Sequence, residues 1–367
     1  MQIRVDRLRE ALRLLQPVIP GKTPLPVLKN ILLKDGQAIA TDMETMIVLG
    51  YPELDGECLI PHRPVLELMK YVPGNELLTI EKLKKSIKLS WEGGKASYDA
   101  ADPEDFPLVP EVKEKARGSV DGDRLVPALK SVVGYCADGE RPVLTGVSLS
   151  LGETIEAAAG DGFRMAYQIL PISFPVEEKV IIPAHSILVL AKLWDKIPPT
   201  VPLKDSLVNQ VLSKRQLELT LGDKLMARFG RVTLFSNPIE GSAPNFGKLI
   251  PQEPPLKVRV FAPEFERAVR RCAEIASDGS GTIRLSWTET ALTISAKEEE
   301  KGSVEAKIPV QTEGGTGKIA VNVKYLLGYL NGKEGLVTIC AKGAQDPLLF
   351  RHGTSPLVVI MPKFVKW

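Results

Sequence analysis

The sequence predicts an α+β fold made of three similar domains, each with two helices packed on an antiparallel sheet. Three observations predict it. An amphipathic segment occurs three times, a Pro-Val-Leu motif followed by an acidic turn occurs twice in clear form, and strand-like segments with alternating polarity close the repeats. A spacing of about 120 residues between equivalent motifs indicates one structural unit used three times. Helices mixed with hairpin-like strands are typical of the α+β class.

The amphipathic segments are predicted to form the first helix of each repeat. They cover residues 5–15, 123–133 and 263–275. In the first, Leu8, Leu12 and Leu15 follow the spacing of a single helical face. In the second, Pro127 falls about four residues into the segment, so we expect that helix to start late or to bend there.

The Pro-Val-Leu motif marks the next part of each repeat. Residues 26–32 match residues 142–149, and both lead into a strand that ends in an acidic turn, at Asp42 and Asp161. The third copy, within 282–296, is weaker. A second helix then follows in each repeat, entered at residues 60–61, 182–183 and 321–322. With linkers near 111–120 and 251–255, we expect domains at 1–117, 118–251 and 252–367.

Composition places the chain among folded globular proteins. Of 367 residues, 44% are hydrophobic and 25% charged, which excludes disordered, collagenous and coiled-coil classes. No apolar run reaches the length of a membrane helix, and the N-terminal stretch carries charges unlike a signal peptide, so these features favour a cytoplasmic protein or, as the alternative, a nuclear one. Four cysteines lie far apart and are expected as buried apolar residues rather than a zinc site: Cys58, Cys136, Cys272 and Cys340.

Signs of catalysis are scarce. We find no nucleophile paired with a base by spacing. His62 and His185 occupy matching places in two repeats, which favours a structural role over a metal pair. Residues 314–318 resemble a phosphate loop but fail its pattern, which favours a glycine turn. We therefore predict no catalytic residue, no cofactor and no metal site.

Acidic residues offer a weak alternative. The cluster at 102–105 is compatible with a cation site, but its setting favours a solvated loop. Asp42 and Asp161 recur at turns, where Asp commonly bonds its own backbone. A small-molecule hydrolase using these two carboxylates is the enzyme alternative, and it lacks a paired base.

The predicted helices carry most of the excess positive charge. The net charge is only +2, but the six helical segments hold 13 basic and 8 acidic residues, against 34 and 37 elsewhere. One interpretation is a solvated outer face, and the other is a wall that binds phosphates without sequence preference. Aromatic residues are not interleaved with these charges, so stacking on single strands is not expected. Ten of these 13 basic residues are the candidates for such a wall: Arg7, Arg13, Lys70, Lys130, Lys192, Lys196, Arg267, Arg270, Arg271 and Lys324.

Short motifs in a fixed order carry a family resemblance over nearly the whole chain. They lie at residues 22–30, 40–42, 105–107, 141–146, 161–166 and 359–362. Their order and spacing resemble the bacterial sliding clamps, the beta subunits of DNA polymerase III. The resemblance implies three DNA-clamp domains in a crescent, two of which join head to tail as a homodimeric ring around double-stranded DNA. It also implies a processivity subunit without catalysis of its own.

The resemblance assigns roles to residues. Lys22 joins the basic residues above as DNA-facing, and Phe106 and Leu108 are expected to meet the helix bearing Ile275 of a second copy. Polymerase III subunits, the clamp loader and other replication and repair proteins are expected to dock through short peptides. Their pocket, here called the partner pocket, would comprise Leu144, Gly160, Gly162, Phe163, Arg164, Met165, Pro244, Phe246, Lys248, Leu249, Pro347, Val359, Met361 and Pro362.

Two departures from the family pattern bear on that pocket. Phe163 stands where members often have His or Tyr, and the chain ends in a longer, more apolar tail, 363–367. The alternative to a replicative clamp is a clamp-derived interaction protein that no longer encircles DNA.

Overall fold

The computed structural model describes residues 1–139, 141–198, 215–252, 254–278, 280–298, 302–353 and 355–366. The chain divides into two compact units. Unit 1 comprises Met1–Lys130, Ser150–Ile155 and Pro171–Ile239, and unit 2 comprises Ser131–Leu149, Glu156–Leu170 and Glu240–Trp367. Helices pack on antiparallel sheets in both, which confirms the predicted α+β class.

Six helices of the described residues bear on function. They are α1 (Val5–Leu15), α2 (His62–Leu68), α3 (Gly122–Val132), α4 (Ala184–Lys196), α5 (Ala262–Asp278) and α6 (Val323–Leu330). The predicted apolar face of α1 is confirmed, because Leu8, Leu12 and Leu15 are all buried. In α3 the prediction of a late start is wrong, since the helix begins at Gly122 and contains Pro127.

Unit 1 holds two sheets and one further strand. The first sheet has the order β1-β6-β7-β8 and the second β5-β2-β3-β4-β16-β15-β14-β9, with all neighbours in the second antiparallel. The strands of unit 1 are β1 (Gln2–Arg4), β2 (Asn30–Lys34), β3 (Gln37–Thr41), β4 (Thr45–Gly50), β5 (Glu57–Pro61), β6 (Leu77–Lys82), β7 (Ser86–Trp91), β8 (Gly94–Asp99), β9 (Ala116–Asp121), β13 (Glu178–Pro183), β14 (Gln216–Leu221), β15 (Leu225–Phe229) and β16 (Val232–Ser236).

Unit 2 repeats this plan. Its larger sheet runs β10-β11-β12-β25-β24-β23-β17-β21 and its smaller sheet runs β20-β19-β18-β22. The strands are β10 (Gly146–Leu151), β11 (Ile155–Gly160), β12 (Arg164–Leu170), β17 (Leu256–Phe261), β18 (Thr282–Trp287), β19 (Ala291–Glu298), β20 (Gly302–Pro309), β21 (Gln311–Glu313), β22 (Gly317–Asn322), β23 (Leu336–Ala341), β24 (Leu348–Arg351) and β25 (Leu357–Ile360). The first residues of β10 and most of β11 lie in this unit.

Two strand pairings cross the domain boundaries that the sequence predicts. In unit 1, β4 pairs with β16, which aligns Thr45 with Ser236. In unit 2, β12 pairs with β25, which aligns Arg164 with Ile360. Each of these sheets continues across a predicted domain boundary, so the chain separates into two compact units. The domain boundaries at 117/118 and 251/252 stay a prediction.

Other expectations can be compared with the described residues. Gly314 and Gly315 both have positive φ and lead into β22, as expected for a glycine turn. Cys58, Cys272 and Cys340 are buried, whereas Cys136 is only half-buried. No helix within the described ranges is both long and apolar enough to span a membrane.

Candidate functional site

The turn at Asp161 shapes one side of the partner pocket. The Asp161 carboxylate accepts hydrogen bonds from the backbone N–H groups of Phe163 and Arg164, both at 2.9 Å. Gly162 sits between them with a φ of 93°, a conformation that glycine adopts without strain. The predicted turn chemistry of Asp161 is therefore present, and its effect is to hold the Phe163 side chain outward, 62% exposed.

Arg164 ties this turn to neighbouring elements of unit 2. Its Nε donates to Asp161 Oδ2 at 3.0 Å, and its Nη2 donates to the Gly134 carbonyl at 3.0 Å. The guanidinium also lies over the rings of Tyr135 and Tyr325, at 5.1 and 4.8 Å from their centroids. A side chain held by this many contacts has little freedom, so Arg164 is a positioning residue of the pocket wall.

The floor of the partner pocket is apolar and buried. Leu144, Met165, Phe246 and Val359 belong to one cluster that also includes Tyr167. Burial raises the pKa of Tyr167 to about 12, so its hydroxyl is neutral at physiological pH. The floor thus offers a contiguous apolar surface without charge.

Three exposed apolar side chains stand around this floor: Phe163, Leu249 and Met361. The backbone N–H of Met361 donates to the Phe163 carbonyl at 2.8 Å, which fixes two of the three relative to each other. Leu249 ends a short 3-10 helix, Phe246–Leu249, whose first residue is in the floor. An apolar floor with exposed apolar edges is suited to the anchors of a short peptide.

Close backbone approach explains one glycine of the pocket. A Cβ at Gly160 would lie 3.0 Å from the Phe246 ring and 3.1 Å from both the Arg164 carbonyl and the Met165 Cβ. These distances are tighter than ordinary contacts, so a residue with a Cβ would displace the Phe246 ring or its neighbours by a few tenths of an ångström. The Phe246 N–H donates to the Pro244 carbonyl at 2.9 Å, which brings Pro244 alongside.

The remaining predicted pocket residues lie at its margins. Lys248 is exposed on the 3-10 helix, and Pro347 directly precedes β24, whose Leu349 is in the apolar cluster. Pro362 follows Met361, and the chain then turns away: the Lys363 N–H donates to the Ala320 carbonyl at 2.7 Å. Phe364 is 80% exposed. Trp367 lies outside the described residues.

The candidate DNA-facing residues fall into two groups. Four of them form ion pairs with acidic side chains. The pairs are Arg7–Glu53 (3.1 Å), Lys70–Glu67 (2.7 Å), Lys130–Asp195 (2.7 Å) and Arg270–Glu266 (2.6 Å). Such exposed pairs leave little free charge for a ligand. Within the described part of the chain, the other seven make no ion pair closer than 4 Å: Arg13, Lys22, Lys192, Lys196, Arg267, Arg271 and Lys324.

Three of the unpaired cations lie close together in unit 1. Lys192 and Lys196 are one helical turn apart on α4, and Arg13 is in the last turn of α1. The pKa of Lys196 is lowered, first by partial burial and then by the neighbouring charges of Lys192 and Arg13. A polyanion would relieve this repulsion, so we treat the three residues, here called the cationic cluster, as a candidate phosphate contact.

The structure contradicts the predicted dimer role of Phe106. This side chain is only 3% exposed and packs in unit 1 with Leu32, Ile39, Met46 and Phe235. It is part of a core and is not available to a second copy. Leu108 is 89% exposed, lies outside the strands and lines one pocket with Met46 and Phe235, and Ile275 is half-buried on α5, so their dimer role stays a prediction.

Sequence reasoning missed two open sheet edges. In unit 1, β8 is the last strand of its sheet and has β7 on one side only. In unit 2, β20 likewise has only β19 beside it, over eight residues. Half-buried and exposed residues alternate along β8 in the structure, but its edge position depends on strand order, which the sequence does not state.

Histidines and acidic residues show structural roles. The buried His62 lies with Nε2 2.9 Å from the Leu12 carbonyl, and His185 Nε2 lies 2.9 Å from Asp42 Oδ2. Asp102 accepts from the Glu104 N–H at 3.1 Å and so caps a short helix. Among the described residues, no group of three or more His, Cys, Asp or Glu could hold a metal ion.

Two family models match this chain. Residues 128–245 match the central domain of the DNA polymerase III beta subunit, and residues 247–358 match its C-terminal domain. A beta sliding clamp of Pseudomonas aeruginosa is 26% identical over 375 residues, covering 98% of both chains. One of Bacillus subtilis is 25% identical over 383 residues, covering 97% of both.

Solved structures are similar along the whole chain. The DNA polymerase III subunit beta from Pseudomonas aeruginosa has a TM-score of 0.86 and 24% identity, covering 100% of this chain and 99% of the other. A related chain from Thermotoga maritima has a TM-score of 0.87 at 20% identity, with the same coverage. A further Pseudomonas aeruginosa structure, described as bound to griselimycin, has a TM-score of 0.88 at 23% identity, again with the same coverage. These likenesses establish that the chain has the fold of the DNA polymerase III beta subunits.

Proposed function

This chain belongs to the DNA polymerase III beta subunit family, and from that membership we propose that it is a DNA sliding clamp. Two copies close into a ring around duplex DNA and tether the replicative polymerase, so that synthesis is processive. The protein supplies no catalysis of its own. As a replication protein it acts in the bacterial cytoplasm.

The observation that carries the DNA role is the cationic cluster of Arg13, Lys192 and Lys196. The charges of Lys192 and Arg13 both repel that of Lys196, and no acid of the described residues lies within 4 Å of any of the three. Lysine and arginine contact phosphates without reading bases, which is what a sliding protein needs. Arg267 and Arg271 on α5 and Lys324 on α6 would extend such contacts in unit 2, and Lys22 in unit 1.

For ring closure we propose the two open sheet edges in place of Phe106 and Leu108. Among the described edge strands of the two smaller sheets, β1 has only three residues and β22 is covered where the Lys363 N–H donates to the Ala320 carbonyl, which leaves β8 and β20. An unpaired edge is a template for a second chain. In a head-to-tail dimer, β8 of one copy pairs with β20 of the other, and a symmetric dimer makes this joint twice.

For partner docking we propose the partner pocket of unit 2. Its apolar floor and its exposed Phe163, Leu249 and Met361 suit a short peptide with two or three apolar anchors and one polar anchor. Polymerase III subunits, the clamp loader and repair proteins would compete for it, because weak reversible binding allows exchange.

Retention on DNA separates this function from its alternative. We expect the protein, once placed by a clamp loader, to stay on circular duplex DNA and to slide off after linearisation, since the link is topological. A clamp-derived interaction protein that does not encircle DNA would show equal retention on both. That result would overturn the proposed function.

A further inference from the structure

The junction of β4 and β16 in unit 1 repeats the architecture of the partner pocket in unit 2. The Asp42 carboxylate accepts hydrogen bonds from the backbone N–H groups of Glu44 and Thr45 at 3.0 and 2.7 Å. The Asp161 carboxylate likewise accepts from the N–H groups two and three residues after it, those of Phe163 and Arg164. The Asn237 N–H donates to the Glu44 carbonyl at 3.2 Å, and this hydrogen bond corresponds to the one from the Met361 N–H to the Phe163 carbonyl in the partner pocket. Glu44 is thus the equivalent of Phe163.

A pocket lies at this junction. Its volume is about 120 Å³, and Met46 and Phe235 are buried residues of its apolar cluster. Met43 and Leu108 are exposed apolar side chains at its margin. We call this the second pocket. Drug-sized ligands need roughly 300 Å³ or more, so a space of this size suits a single apolar side chain.

The margin of the second pocket is held in place. Met43 has a φ of 79° and occupies the position that Gly162 holds in the equivalent turn. A positive φ costs free energy for a residue other than glycine. Asn237 braces it, because its Nδ2 donates to the Met43 carbonyl at 3.0 Å and its Oδ1 accepts from Lys224 Nζ at 2.8 Å. The Met43 side chain is therefore presented outward by a fixed turn.

Charge distinguishes the second pocket from the first. Glu44 is exposed, and within the described residues no lysine, arginine or histidine lies within 4 Å of its carboxylate. Lys224 keeps its charge, but the neutral Asn237 Oδ1 holds its Nζ at 2.8 Å, more than 4 Å from the Glu44 carboxylate, so a basic group of a ligand can approach Glu44 itself. A ligand that fills the apolar space therefore gains from a basic residue beside its apolar anchor.

We propose that the second pocket is a further docking site for a short protein segment that carries one apolar anchor next to a basic residue. This proposal rests on the proposed function, in which partners bind the clamp through such segments. It assigns different charge preferences to two sites on one chain. A partner with two suitable segments would then hold the clamp at both, with an affinity above that of either segment alone.

Methionine methyl resonances test this on the intact protein. Met43 and Met46 report on the second pocket, and Met165 and Met361 report on the partner pocket. With 13C-methyl methionine, we would titrate acetyl-Arg-Leu-Leu-Arg-amide, its analogue with Glu in place of Arg, and acetyl-Gln-Leu-Leu-Leu-amide. We expect the basic peptide to shift Met43 and Met46 saturably and the acidic analogue to shift neither.

Two exposed variants sharpen the result. Glu44→Gln should weaken the basic peptide about fivefold, the effect of one surface charge pair. Leu108→Ser should weaken it by removing an apolar contact. If Met43 and Met46 do not move at millimolar peptide, or move equally with the acidic analogue, the second pocket is not a docking site. If acetyl-Gln-Leu-Leu-Leu-amide shifts the methyl resonance of neither Met165 nor Met361, the proposed docking of partners at the partner pocket is wrong. That outcome is independent of the result for the second pocket.

Discussion

His185 Nε2 lies 2.9 Å from Asp42 Oδ2, which joins the start of α4 to the turn before β4. The neighbouring residue strengthens the same joint, since the buried Ser186 hydroxyl lies 2.7 Å from Thr45 Oγ1 and 2.8 Å from Ser236 Oγ. One end of α4 is thus fixed to both β4 and β16. The cationic cluster depends on α4, so this joint helps to position Lys192 and Lys196.

The ion pair should make stability depend on pH. The Asp42 carboxylate raises the pKa of His185 above 6.5, against the opposing effect of burial. Burial alone would raise the pKa of Asp42, but His185 and the backbone N–H groups lower it below 3.8. The raised pKa of His185 adds to the free energy of unfolding in full below pH 6.5, and this stabilisation is lost as pH rises through that raised pKa. The lowered pKa of Asp42 adds to it in full above pH 3.8, and this stabilisation is lost as pH falls through that lowered pKa.

We therefore expect His185→Asn to reduce the free energy of unfolding most between pH 3.8 and 6.5. The loss should be about 0.5–1 kcal/mol, since the pair is partly exposed, and should shrink above neutral pH. Urea unfolding of both proteins across this range measures the difference. His62→Asn is the control: burial lowers the pKa of His62, so that histidine destabilises the fold as pH falls below 6.5, the opposite sign. A pH-independent loss in His185→Asn would contradict the ion pair.

The cationic cluster should govern the salt dependence of DNA contact. We expect the triple variant Arg13→Glu, Lys192→Glu and Lys196→Glu to bind every duplex sequence more weakly at low salt. Its affinity should also depend less on salt concentration, because fewer counterions are released on binding. The matched control is Lys70→Glu with Lys130→Glu, since both lysines are already neutralised by acids. Fluorescence anisotropy with two unrelated duplexes measures both. Equal losses in the two variants would remove the special role of the cluster.

Local patterns predicted local structure well. The period of Leu8, Leu12 and Leu15 identified α1, and the recurrence of Asp42 and Asp161 identified two turns whose hydrogen bonds nearly coincide. Both depend on residues close in sequence. The pairing of β4 with β16 joins residues almost two hundred positions apart, and no local pattern encodes it.

The same limit explains the errors at the site. Phe106 lies within the motif at 105–107 that the resemblance recognised, but its burial depends on β2, β3 and β16 packing around it. Free charge was equally unpredictable, because the acids that neutralise Lys130 and Arg7 lie 65 and 46 residues away in sequence. In contrast, the family resemblance located Leu144, Met165, Phe246 and Val359, and these four side chains share one cluster.

The open edge of β8 should control assembly. Tyr98→Asp places a charge on a half-buried position of that edge strand and should shift the dimer toward a monomer of 40.1 kDa. Leu108→Asp tests the earlier expectation, and we expect the dimer to survive it because Leu108 is not on a sheet edge. Light scattering at micromolar concentration distinguishes the two. Dissociation by Leu108→Asp with an intact Tyr98→Asp dimer would reverse our correction.

The partner pocket should lose peptide affinity when Met361 is truncated. Met361→Ala removes an exposed apolar contact but keeps the backbone bond to Phe163, so the pocket keeps its shape. We expect binding of acetyl-Gln-Leu-Leu-Leu-amide to weaken by about 2 kcal/mol if Met361 is a hot spot, with the ring intact. Phe364→Ala is the matched control: its side chain is exposed on a segment that turns toward Ala320, so it should change affinity by less than about twofold. Isothermal titration calorimetry measures both, and light scattering checks the ring. Unchanged affinity in Met361→Ala would show that the pocket is misplaced, whereas a loss in Phe364→Ala would show that the tail itself binds the peptide.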